Sequence, residues 1–222
     1  MKFRRKSAEA SATPADPEVE QDDVEQAPAV AGPTTGPWDV DDLPEDDPVA
    51  RVDLGSLLVP PAEGAELQLQ VDEQTEVVQA VLVAGEEGAV ELRAFAAPRG
   101  GDLWAEVRPR IAADFAQRGG TADEREGRFG TELVCQLTVR MPDGRTGTQP
   151  SRIIGVNGPR WMLRATLLGR PAVEVDQAGP WEDLVEQVVV RRGSHPMPAG
   201  AELALSLPRD GQLVERPDPS AG

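Results

Sequence analysis

Between Ala65 and Leu168 the spacing of apolar residues changes from two to four and back to two, and this order constrains the fold of the 222-residue chain more than any other feature. From Ala65 to Val71, Leu67, Leu69 and Val71 fall on one side of an extended chain and Glu66, Gln68 and Gln70 on the other, as in a half-exposed strand. Glu76 to Val83, after the turn Asp72-Glu73-Gln74-Thr75, is apolar on both faces and reads as a strand covered on two sides. Ala89 to Ala96 alternates again after Gly85-Glu86-Glu87-Gly88, so the three segments predict an antiparallel meander. Leu103, Val107, Ile111 and Phe115 then recur every four residues, with Trp104 beside them, Asp102 as N-cap and Gly119-Gly120 as the stop. This spacing predicts a helix over 102–118, in which Pro109 should either kink the chain or move the regular start to about Arg108.

The period of two returns from Thr131 to Arg140, with Leu133, Cys135, Leu137 and Val139 on one side, before the turn Pro142-Asp143-Gly144. Arg152 to Val156 and Arg160 to Leu168 flank Asn157-Gly158, the strongest hairpin signal in the chain, with Trp161, Leu163, Ala165 and Leu167 as the inner face. Pro180 opens a second helix through Val188, and Glu202 to Leu207 reads as a last short strand. The order is three strands, helix, three strands, helix, strand. It predicts an α+β fold, a mainly antiparallel sheet of about six to seven strands with two packed helices, and argues against a parallel doubly wound sheet.

Charge divides the chain. Residues 1–48 hold four basic and thirteen acidic side chains, a net of −9, with seven prolines, and are expected to be a disordered acidic Pro-rich tail. Residues 49–208 are expected to form a single α+β domain and 209–222 a disordered C-terminal tail. The start Met1-Lys2-Phe3-Arg4-Arg5-Lys6 imitates a signal peptide, but Ser7 to Val19 supplies no apolar core. Val77 to Ala84, the longest apolar stretch, falls well below the roughly 20 residues that span a bilayer. Cys135 is the only cysteine, so an intrachain disulfide is excluded and a reducing cytoplasm fits.

The same inventory removes several chemistries. Both lysines, Lys2 and Lys6, lie in the tail, leaving the domain no Schiff-base or phosphate-loop lysine. His195 is the only histidine and sits in a Ser-His-Pro-Met-Pro loop with no nucleophile signature, so a surface role is expected. Cys135 falls on the apolar side of its strand and reads as a small buried hydrophobe. The acidic run from Asp39 to Asp47 has Pro44 where a calcium loop needs glycine, and reads as a solvated stretch. Glu182 and Asp183 serve the dipole of a helix N-terminus. No catalytic residue, metal site or cofactor is predicted, and the balance leans away from an enzyme.

One local anomaly remains. From Arg140 to Arg170 six arginines face a single acid, Asp143, so the stretch is +5 in a chain of net charge −17. Arg152, Arg160 and Arg164 are the candidate anion- or partner-binding residues, with Arg160 and Arg164 expected on one face around Met162, since guanidinium suits carboxylate and phosphate alike. The competing reading is that these arginines pair with Glu and Asp on neighbouring strands or helices as ordinary surface ion pairs. Nucleic acid is disfavoured by overall repulsion, although a local phosphate pocket stays open.

The hairpin Arg152-Ile153-Ile154-Gly155-Val156-Asn157-Gly158-Pro159-Arg160-Trp161-Met162-Leu163-Arg164 resembles an actinobacterial family of unknown function. So do Val188-Val189-Val190, Arg191-Arg192, Gly193, Pro196-Met197-Pro198 and Leu205-Ser206-Leu207-Pro208. The resemblance covers roughly 50–208 and implies an uncharacterised cytoplasmic protein with no catalytic residue to carry over. Genes of that family often neighbour a dUTP diphosphatase gene, which implies a nucleotide-linked role. The expectation is a non-catalytic interaction module whose arginine-bearing hairpin meets a protein partner or small anionic ligand, with the acidic tail modulating access. The alternative is a nucleotide- or phosphate-binding protein, or an enzyme using Arg, Asp and Glu alone.

Overall fold

The computed structural model describes residues 36–72, 77–140 and 144–208. The turn expected at Pro142-Asp143, most of the 1–48 tail and the 209–222 tail lie outside them. Three short strands come first: β1 (Trp38–Asp39), β2 (Val52–Asp53) and β3 (Leu57–Val59). The meander follows as β4 (Ala65–Val71), β5 (Val78–Gly85) and β6 (Gly88–Ala96), then helix α1 (Leu103–Gln117). Four further strands are β7 (Thr121–Gly127), β8 (Gly130–Arg140), β9 (Thr146–Asn157) and β10 (Trp161–Gly169). Helices α2 (Arg170–Val173) and α3 (Gly179–Gln187) and strand β11 (Val189–Val190) complete the elements.

The fold is α+β and mainly sheet. Seven antiparallel strands run in the order β4-β5-β6-β10-β9-β8-β7, and a small second sheet runs β1-β11-β3-β2. Trp161, Leu163, Ala165 and Leu167 point into one core with Val90, Leu92 and Ile154, closed by Leu184 and Val185 of α3 and by Leu57 and Val190 of the small sheet. On the opposite face Met162, Ile153, Leu133 and Cys135 pack under Leu103 and Trp104 of α1. The central strands are thus covered on both sides, and the face expected to be open around Met162 is closed by α1, leaving Met162 2% exposed.

Four sequence readings are corrected. Residues 36–48 are not all tail: Trp38–Asp39 pairs in parallel with Val189–Val190, and Asp39 Oδ2 accepts the indole N–H of fully buried Trp161 at 2.7 Å. That bond satisfies the one polar atom of a large core side chain. Helix α1 starts at Leu103 and runs through Pro109, because Asp102 Oδ1 caps Ala105 N at 2.9 Å and the buried Trp104 anchors the first turn. The β9–β10 hairpin turns at Pro159-Arg160, with Gly158 N donating to Trp161 O at 2.8 Å, two residues beyond the expected Asn157-Gly158. Asn157 instead ties the hairpin to α1: its Nδ2 donates to Asp102 Oδ1 at 2.7 Å and its Oδ1 accepts from Trp104 N at 3.2 Å. Finally, Glu202 to Leu207 is no regular strand. It bridges Phe95 of the large sheet and Gly55 beside the small one, so its hydrogen bonds are split between two partners.

Candidate functional site

The three candidate arginines lie in three different environments. Arg152 is in β9 opposite Leu167, on the core face beneath α3, and is 1% exposed. Its Nε donates to Glu132 Oε2 at 3.0 Å and its Nη2 to Glu182 Oε1. Glu132, also 1% exposed, takes Arg125 Nε on its other oxygen at 3.0 Å, so two arginines and two glutamates neutralise one another. A charge taken out of water needs such compensation, because an unpaired buried ion costs several kcal/mol. Glu182 therefore does more at the α3 N-terminus than serve the dipole. Beside it Arg128 donates to Asp183 Oδ1 at 2.6 Å and to Glu186 Oε2, which holds its guanidinium more firmly protonated than usual.

Arg164 lies on the other face, opposite Arg93 in β6, with its guanidinium carbon 5.2 Å from the centre of the Phe95 ring. Arg93 Nε donates to Glu91 Oε1 at 3.0 Å, whereas Arg164 Nη2 stands 4.0 Å from the same oxygen. Burial lowers the Arg164 pKa, and the like charge of Arg93 adds to that, against the opposing pull of Glu91 and Glu202. A stacked arginine of this kind presents a rigid, weakly hydrated cation.

Arg160 is in the hairpin turn, outside the strand alternation, and shares no contact with the Phe95 and Glu91 side chains beside Arg164. Its Nη2 donates to Gly193 O at 3.3 Å. Two residues on, His195 O accepts from Arg192 Nη1 at 3.1 Å. Most described arginines, Arg51, Arg125, Arg152, Arg170 and Arg191 among them, sit on a carboxylate. Arg160 and Arg192 have no carboxylate partner among the described residues and are oriented by main-chain carbonyls of one loop. Carbonyls orient a guanidinium without cancelling its charge, so this corner can attract an anion and offer charge-assisted hydrogen bonds. Sequence reading missed Arg192; its signal was Arg191-Arg192-Gly193 directly before a Ser-His-Pro turn. Arg191 differs from its neighbour, since its Nη1 is neutralised by Asp53 Oδ1 at 2.9 Å.

Ion pairing accounts for Arg152 and Arg170 within the +5 stretch; the Arg170 pairs lie at the surface, as the competing reading expects, whereas the Arg152 pairs are buried. His195 is exposed in its loop. Cys135 is fully buried, and burial is the chief cause that pushes its thiol from an ordinary 9.0 up to about 11, so the sulfur stays protonated. Among the described residues no group of three His, Cys, Asp or Glu side chains could hold a metal ion, and no helix is long and apolar enough to cross a membrane.

With two sheets, a covered hairpin and a cationic corner defined, the chain can be placed among known proteins. The model of the family described as "Protein of unknown function (DUF3710)" matches residues 36–213, and the chain belongs to that family. Its match begins at Gly36, just ahead of β1. Comparisons with curated proteins and with solved structures found no significant match.

Proposed function

We propose that the protein is a non-catalytic cytoplasmic interaction module that uses the corner at Arg160 and Arg192 to bind an acidic partner, with the Arg164–Phe95 stack as a second cationic feature of the hairpin. Arg152 supports this surface from inside. The observation that carries the reading is that Arg160 and Arg192 are held by the Gly193 and His195 carbonyls while the buried arginine is neutralised by glutamates. Arginine stays charged at every physiological pH, so binding here should depend on salt far more than on pH. An acidic polypeptide fits better than a nucleotide because the two half-exposed cations come from separate segments, the hairpin turn and the loop after β11, which a partner chain can bridge. The resemblance to a family encoded near dUTP diphosphatase keeps a nucleotide ligand as the second reading. In the same proposal the acidic residues Asp16 to Glu25 compete for the corner.

A thermal-shift screen of the full chain against polyglutamate, nucleotides, polyphosphate and single-stranded oligonucleotides tests this, because a ligand that binds the native state raises its melting temperature by mass action. Polyglutamate should give a salt-sensitive shift that Arg160→Ala/Arg192→Ala removes. Replacing Asp16, Glu18, Glu20, Asp22, Asp23 and Glu25 by Asn or Gln should enlarge it. A shift with nucleotides alone would promote the second reading, and no shift with any anion would overturn both.

A further inference from the structure

The two edges of the seven-stranded sheet differ in chemistry. At one edge β7 carries Asp123, Glu124, Arg125 and Glu126, the charged dressing that keeps an edge from pairing with a stranger. At the other, β4 reads Ala-Glu-Leu-Gln-Leu-Gln-Val, with Glu66 its one charge and no proline. Asp72 N donates to Val77 O at 2.9 Å across the β4–β5 hairpin, and the ladder's register shift between Gln70 and Val71 leaves its extra residue, Gln79, in β5, so alternation along β4 turns the main-chain groups of Leu67, Leu69 and Val71 outward. At the start of the strand Ala65 N turns back to Ala62 O at 3.2 Å, and among the described residues no strand pairs with the outward groups from Leu67 on, since β5 is the one strand beside β4. A strand whose outward amides and carbonyls have no strand partner from Leu67 to Val71, with almost no charge, is a template for another strand.

We propose that β4 pairs with β4 of a second copy, antiparallel about a twofold axis at Gln68, joining two seven-stranded sheets into one continuous sheet. The sequence of the strand favours its own copy. Centred on Gln68, the pairing sets Gln68 opposite Gln68, Leu67 opposite Leu69 and Glu66 opposite Gln70 of the second copy, so no like charges meet. The parity also agrees. Because the groups of Leu67 and Leu69 point outward, they form the hydrogen-bonded pairs. The two Gln68 residues become a non-hydrogen-bonded pair, whose side chains stand closest. Leu67 and Leu69, which already pack against the main core, would meet their counterparts and extend that apolar layer across the dyad. A twofold contact of one patch with itself is also the commonest way for a chain to form a closed dimer.

Sedimentation velocity of the full chain across a concentration series tests the proposal. The wild-type protein should sediment as a dimer at micromolar concentration. Gln68→Lys and Gln68→Glu, which place like charges on the dyad, should each weaken self-association by roughly tenfold or more while leaving circular dichroism unchanged. An equimolar mixture of the two variants should restore the dimer, because lysine then faces glutamate. A wild-type monomer throughout the series, or a dimer indifferent to both substitutions, would overturn the proposal. Neither result bears on anion binding at Arg160 and Arg192, which lies elsewhere on the sheet.

Discussion

Arg152 and Arg160 belong to one hairpin, eight residues apart, and meet opposite fates. Arg152 is 1% exposed, and Glu132 and Glu182 neutralise it; Arg160 lies in the turn and leans on a carbonyl. The difference teaches that a local excess of positive charge is not one feature. Where the strand passes beneath α3, low dielectric makes an uncompensated guanidinium too costly, and the fold supplies acids from β8 and α3. At the turn, a half-exposed guanidinium needs no carboxylate, and Arg160 keeps its charge beside a carbonyl, where the proposed recognition would act. The account therefore assigns stability to one arginine and recognition to the other.

The sharpest way to break the comparison is at Arg152. Replacing it with alanine takes the guanidinium from Glu182 and leaves buried Glu132 to Arg125 alone, and should cost about 3–5 kcal/mol in urea unfolding. The double substitution Arg152→Leu/Glu132→Leu removes both charges and should cost far less, which a double-mutant cycle would register. If the single and double variants lose the same stability, the ion cluster is not what makes Arg152 indispensable.

Next in size comes Gly155, between the two arginines. A Cβ there would lie 2.1 Å from Cδ2 of Trp104, so the ring seats on β9 only because the position is glycine. Gly155→Ala should cost about 1–3 kcal/mol through overpacking, and should shift the Trp104 fluorescence as the indole is lifted. An unchanged unfolding midpoint would show that the α1 contact with β9 yields easily.

Cys135 gives a smaller, pH-dependent effect. Its folded pKa is raised to about 11, so the native state holds its proton where the unfolded chain would release it. That contribution is complete below the unfolded pKa and is lost as pH rises from about 9 toward 11. Cys135→Ser should flatten this part of the stability curve. At pH 8 iodoacetamide should alkylate the native thiol far more slowly than the urea-unfolded one, because the sulfur is both covered and held protonated.

Much of the large sheet was legible because its strands are amphipathic. β4 runs over Ala65–Val71 as its alternation indicates, and α1 begins after Asp102 as its cap indicates. β7 was missed: Thr-Ala-Asp-Glu-Arg-Glu-Gly has no β-branched run, and pairing with β8 rather than propensity makes it a strand. The small sheet escaped notice because its two- and three-residue strands carry no period. The hairpin motif of the family resemblance turns out to be largely structural. Gly155 admits Trp104, Asn157 ties α1, Gly158 lies against the Trp161 ring, and Trp161 bonds to Asp39. The burial of Arg152 was within reach. Even a turn at Asn157-Gly158 pairs Arg152 with Leu163, on the core face, whereas only the fold could show that Glu132 and Glu182 wait there. Arg192 carried a local signal in Arg191-Arg192-Gly193, but its meeting with Arg160 did not, since the loop that joins them follows β11, which is set by its pairing with β1 and β3.

The central claim, that the hairpin separates a structural arginine from a recognition arginine, is tested most directly by Arg160→Gln/Arg192→Gln. Unfolding free energy and polyglutamate affinity would be measured on the same preparation, at low and at physiological salt. The account predicts stability within about 0.5 kcal/mol of wild type, as for surface substitutions in general, together with loss of the salt-sensitive binding. A variant that unfolds markedly more easily, or that binds as well as wild type, would contradict it.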